Sequence, residues 1–176
     1  HIVRHGHSTS NVHVEKVLAE HGVERRDVPA CLHGMKGEDL AKIAFQAMAN
    51  PDDFDSALTE GGREQARTLS REMDFPNLEL VISSSLRRAM QTAQIAFHKK
   101  MPQLPPLLVS DLWREYGGNI PAQFRPTKAE ISASYSSGEK AFEEQLSADH
   151  IDLSLLSEED ELRFDEQESA DAVEKR

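Results

Sequence analysis

Short apolar runs alternate with stretches of helical periodicity along this chain, and that alternation constrains its fold more than any other feature. Leu78-Glu79-Leu80-Val81-Ile82 and Leu107 to Val109 read as strands, and His1-Ile2-Val3 reads as the end of another whose beginning is missing. Helical spacing groups Val14, Val17 and Leu18 on one buried face, and Leu40, Ile43, Ala44, Ala47 and Met48 on a second. Ala66, Leu69 and Met73 make a third such face, and Leu86, Ala89, Ala93, Ala96 and Phe97 a fourth. Ser10 or Asn11 is expected to cap the first helix and Thr59 the third, while Pro51 ends the second and Pro102, Pro105 and Pro106 precede the last strand. Such alternation predicts an α/β sandwich with a mostly parallel sheet, its ligand site beyond the carboxyl ends of the strands. Three strands make a thin sheet for this architecture, so the sheet is expected to be incomplete.

At 176 residues and 38% hydrophobic content, the chain fits a single domain over 1–176. Its one cysteine, Cys31, makes an internal disulfide impossible and points to a reducing, cytoplasmic setting. No apolar run is long enough for a membrane span, so no membrane partner is expected.

The net charge of −11 is uneven. From Ala141 onward there are 13 acidic and 3 basic residues, which leaves 18 and 17 in the first 140. SEEDELRFDEQES, from Ser157, is expected to form a solvated surface or loop. Nucleic acid is not an expected partner, because no basic face is apparent to neutralise a phosphate backbone. A small anion could still bind through local arginines.

Three motifs sit where such an anion would bind. Arg4-His5-Gly6 lies between a strand end and a helix start, where backbone N–H groups and the helix dipole favour negative charge. Ser83-Ser84-Ser85-Leu86-Arg87-Arg88 follows the second strand and brings two guanidinium groups to the same edge. Leu112-Trp113-Arg114-Glu115 follows the third strand and offers a carboxylic acid, the group that phosphoryl transfer needs to protonate a leaving oxygen.

Together, RHGHSTSN, DSALTEGGREQA, VISSSLRRAMQTA and LWREYGG resemble the histidine phosphatase superfamily, also called the phosphoglycerate mutase-like family. Asp55, Leu58, Thr59, Gly62, Gln65 and Ala66 match its second motif, and Glu168-Ser169 with Arg176 is similar to its later ES-x6-R helix. The resemblance implies a three-layer sandwich and a phosphomonoester hydrolase that forms a phosphohistidine on His5. It further implies that Arg4 and Arg88 bind the phosphate, that Glu115 donates the proton and that Asn11 lines the pocket. A small phosphorylated substrate is implied as partner, with no metal and no cofactor.

The sequence departs from the family pattern in three places. No Ser-His-Gly-like turn follows a late apolar strand, so the second pocket histidine is missing and the chain is expected to lack the family's C-terminal strand or strands. His5 and Thr59 are 54 positions apart, and the helix of Leu40 to Met48 that fills this stretch is expected to act either as part of a cap over the pocket or as a peripheral packing helix. Glu115 is followed by Tyr116-Gly117-Gly118, whereas the family's mutases carry Glu-Arg-His-Tyr-Gly, which favours hydrolysis over mutase-type transfer. Two readings from other classes stand beside this one: a metal-dependent hydrolase using His5, His7 and Asp55, and a non-catalytic scaffold that kept the fold.

Overall fold

The computed structural model describes residues 1–23, 42, 43, 46–115, 120–137 and 145–161. Within these, the helices and strands whose bounds are described follow one another as α1 (Thr9–Glu20), α2 (Glu60–Glu72), β1 (Ile82–Ser84), α3 (Arg87–Phe97), β2 (Leu107–Ser110), α4 (Lys128–Ser136) and β3 (Ile151–Asp152). The strands form an open parallel sheet in the order β1-β2-β3, in keeping with the α/β architecture expected. Ile82 pairs with Leu108 and Ser84 with Ser110, while Leu107 pairs with Ile151.

β1 starts later than its apolar run suggested and continues through serines. Ser83, Ser84 and Ser85 are all buried. Each hydroxyl finds a nearby partner, Ser83 donating to the Ser84 carbonyl, Ser84 accepting from the Leu86 N–H and Ser85 donating to Asp111, so a polar run can be buried without unpaired groups. Leu80 and Ile82, by contrast, are each 43% exposed.

His1-Ile2-Val3 does not form a strand. Ile2 is 94% exposed, and the segment faces β1 across a cavity of about 500 Å³ that Leu78, Leu80, Val81 and Ile82 also line. Among the described residues, no backbone group of His1 to His5 is paired with β1. The third strand of the sheet comes instead from Ile151–Asp152, two residues too few to carry a periodic signal.

The main core gathers Phe75, Val81, Met90, Phe97, Met101, Leu107, Val109, Ile131 and Leu156. α3 packs on both β1 and α2, and every residue from Met90 to Phe97 is buried. Leu58, Ala66 and Ile95 form a smaller cluster between α2 and α3.

Where it is described, over 157–161, the acidic stretch has no regular structure and Glu158, Glu159 and Glu161 are exposed, as expected of a solvated loop; Asp160 is the exception. The Asp160 side chain is 4% exposed and accepts from the Arg114 guanidinium and the Arg125 backbone N–H. Glu158 accepts from the N–H groups of Lys128 and Ala129 at the start of α4. Two buried arginines, with the free N–H groups of a helix start, account for these carboxylates.

Of the expected helix around Leu40 to Met48, Lys42, Ile43 and Gln46 to Met48 are described as helical, with Ala47 buried. Leu40 and Ala44, like Cys31, Tyr116 to Gly118 and the Glu168, Ser169 and Arg176 motif, lie outside the described residues. No described helix is long and apolar enough to cross a membrane.

Candidate active site

His5 lies on a segment held by two helices. The cap of α1 lies two residues before Ser10, the nearer of the two expected: Ser8 is the N-cap, and its N–H donates to Asn11 Oδ1 at 3.0 Å. Ser8 has a side chain that can close this cap with a residue three positions on, and Ser10 instead lies inside the helix with its hydroxyl 3.0 Å from that of Ser56. Immediately upstream, His7 uses both backbone groups on α2. Its N–H donates to Gln65 Oε1 at 2.9 Å, and its carbonyl accepts from the Thr59 N–H at 2.9 Å and the Thr59 hydroxyl at 3.1 Å. Thr59 also caps α2 as expected, accepting from the Gly62 N–H. Two glycines permit this close packing: a Cβ on Gly62 would collide with the His7 carbonyl, and one on Gly6 would lie 2.6 Å from the Gly62 oxygen.

α3 is placed by Asp55. Its N-cap residue, Leu86, has no side chain able to accept, and Asp55 Oδ1 accepts the Arg87 N–H at 2.7 Å instead. Asp55 adopts φ 42°, the left-handed region that aspartate tolerates better than most residues. Burial pushes its carboxyl up to about 6, against the lowering effect of the Arg87 N–H and of the Arg87, Arg88 and Arg114 charges. Leu58 N–H donates to Gln91 Oε1 at 2.8 Å, tying the same loop to α3.

Three of the expected residues then meet. Arg88, 3% exposed, donates through Nη1 to the Ala122 carbonyl and through Nη2 to Glu115 Oε2 at 3.0 Å. The other carboxylate oxygen of Glu115 lies 3.3 Å from His5 Nε2, and the His5 side chain is 8% exposed. Contact with the His5 ring, and then the Arg88 charge, hold the Glu115 carboxyl down to about 2, while partial burial opposes them. His5 Nδ1 is 2.7 Å from the Gly6 carbonyl, which only accepts, so Nδ1 carries the proton and Nε2 faces Glu115.

Arg4 is exposed and lines the same cavity as His5, Arg88 and Glu115. Asn11 does not line it; its Oδ1 accepts from the Ser8 N–H and hydroxyl. The metal reading finds no support in the geometry. His7 contacts Thr59 and Glu15, Asp55 holds the Arg87 N–H, and among the described residues no three metal-ligating side chains converge.

Fold and site together define an α/β protein whose polar cluster gathers after the carboxyl ends of two parallel strands, β1 and β2. The chain belongs to the histidine phosphatase superfamily (branch 1), whose family model matches residues 33–176. That membership supports phosphoryl transfer of the phosphatase or mutase kind. The match begins after Arg4 and His5, so their place in the site rests on geometry. No curated protein and no solved structure matches the chain.

Proposed function

We propose that this protein hydrolyses phosphomonoesters through a phosphohistidine on His5. The observation that carries the reading is the bridge by Glu115, which touches the His5 ring and the Arg88 guanidinium at once. A histidine nucleophile, a buried arginine and a carboxylic acid within one ion-pair distance are the groups that phosphoryl transfer needs. Arg4, at the rim of the same cavity, supplies a second guanidinium for the phosphate oxygens.

The proton count follows from the contacts. A ring nitrogen 3.3 Å from a carboxylate shares one proton with it, because two lone pairs would repel. When a substrate phosphate takes the Arg88 guanidinium from Glu115, a contact that holds the carboxyl ionised is lost, and moving that proton from His5 Nε2 to Glu115 frees the nucleophile and arms the acid. The Nε2 lone pair then attacks phosphorus, the ester P–O bond breaks, and the leaving oxygen takes the proton from Glu115. In the second half, Glu115 removes a proton from water as the water oxygen attacks phosphorus. The P–N bond breaks and its electrons return to Nε2.

Hydrolysis is favoured over mutase-type transfer by Glu115-Tyr116-Gly117-Gly118, which differs from the mutase Glu-Arg-His-Tyr-Gly. The substrate is a small phosphomonoester, and a cytoplasmic setting accords with the single cysteine, Cys31. The test is incubation with a ³²P-labelled phosphomonoester. Acid-labile, alkali-stable label on the wild-type protein, absent from His5→Ala, is expected, with inorganic phosphate as product. No label and no turnover would favour a scaffold, and transfer to an added alcohol in place of water would favour a mutase.

A further inference from the structure

We propose that Thr92 is a positioning residue that fixes the His5 backbone relative to Arg88. The inference rests on the phosphohistidine reading above. Thr92 is 5% exposed on α3, and its hydroxyl makes two bonds. It accepts the Gly6 N–H at 3.0 Å, across 86 positions of sequence, and donates to the Arg88 carbonyl at 2.7 Å. One oxygen therefore joins the peptide that follows the nucleophile to the residue that binds the anion.

The rest of the segment explains why this bond matters. His7 is fixed to α2 by Gln65 and Thr59. Gly6 is fixed to α3 by Thr92 alone among the described residues, and the Gly6 carbonyl in turn orients the His5 ring by accepting from Nδ1. Thr92 thus fixes the His5–Gly6 peptide, while Gln65, through the His7 N–H, fixes the planar Gly6–His7 peptide whose carbonyl orients the ring; the two together set the direction of Nε2. The hydroxyl has one proton, and because the Arg88 carbonyl takes it, the lone pairs are what Thr92 presents to the Gly6 N–H. Arg88 itself does not depend on the hydroxyl, since its guanidinium is held by the Ala122 carbonyl and Glu115. Loss of the hydroxyl should therefore disturb attack more than phosphate binding.

The experiment compares Thr92→Val, which keeps the shape and removes the hydroxyl, with Thr92→Ser, which keeps the hydroxyl. Valine is expected to slow single-turnover labelling of His5 by about 10- to 100-fold, the range that a misplaced nucleophile produces, with inorganic phosphate affinity within about threefold of wild type. Serine should label at close to the wild-type rate. A purely structural role would lower the melting temperature of the valine variant and leave its labelling rate intact at a temperature where it is folded. If valine does not fold, Thr92→Cys replaces it, and a cysteine rate equal to serine overturns the inference, because a thiol is a poor acceptor. Label on wild type and Thr92→Val alike overturns the positioning role alone. No label on wild type overturns the phosphohistidine reading, and the positioning role with it.

Discussion

Arg88 Nη2 donates to Glu115 Oε2 at 3.0 Å, so the carboxylate proposed as the acid holds the guanidinium proposed to bind phosphate. An incoming phosphate oxygen must displace a carboxylate oxygen from the same donor. Glu115→Gln removes the competing charge and is expected to tighten inorganic phosphate binding about tenfold, equal to about 1.4 kcal/mol. It should also slow turnover of an alkyl phosphomonoester by about 10²- to 10⁴-fold, the usual contribution of a general acid. Calorimetric titration with phosphate, beside steady-state rates, separates the two effects; unchanged phosphate affinity would show that Glu115 does not compete.

Asp55 should make the protein less stable as it ionises. Its carboxyl is raised from 3.8 to about 6 in the folded chain, so between those values the folded state binds more protons than the unfolded one. Stability therefore falls as pH rises through this window, by roughly 2–3 kcal/mol at most. Asp55→Asn keeps an oxygen for the Arg87 N–H and cannot ionise, so it should be the more stable protein at pH 7 and lose that advantage below pH 4. Urea unfolding of both proteins across this range is the measurement, and parallel pH profiles would refute the assignment.

Gly62→Ala should damage the site from a distance. The added methyl would collide with the His7 carbonyl, and that atom is backbone held by Thr59. The segment would have to move away from α2, costing about 1–3 kcal/mol in stability. The His5 labelling rate should fall with it, whereas Gly61→Ala, whose Cβ would meet nothing closer than 3.7 Å, should retain both stability and rate. Thermal melts and single-turnover labelling of the pair check this.

Arg125 should be a major contributor to stability through its contacts with the acidic segment. It is 1% exposed and donates to Asp111, to the Ser157 and Glu159 carbonyls and to the Pro126 carbonyl. Replacing it with Met takes a donor from four partly buried acceptors, of which Asp111 keeps the Ser85 hydroxyl and the Glu159 carbonyl keeps the Ser157 hydroxyl, at a cost of about 1–3 kcal/mol. Chemical denaturation of Arg125→Met is expected to shift accordingly; a loss below about 1 kcal/mol would mean that water reaches these acceptors.

Elements whose patterns follow from local chemistry were legible in the chain itself. α2 follows from the Thr59 cap and the spacing of Ala66, α3 from its apolar face, and β2 from Leu107 to Val109. β1 was displaced because its polar serines are buried by pairing with β2 and, for Ser85, by Asp111, partners that are distant in sequence. β3 was invisible because Ile151–Asp152 gain strand geometry from pairing with β2, and the Asp160 contacts were invisible because Arg114 and Arg125 lie far from it in sequence.

The sequence by itself determined the family of motifs, the alternation that makes the sheet parallel and the types of residue available for phosphoryl chemistry. Tertiary structure alone decided which of them meet. Asn11 went to a helix cap, while Thr59, Gly62, Gln65 and Thr92, which read as helix-forming or motif residues, became the clamp on Gly6 and His7. Local periodicity is encoded within a few residues, whereas a hydrogen bond between positions 6 and 92 exists only after packing has brought α2 and α3 against the same turn.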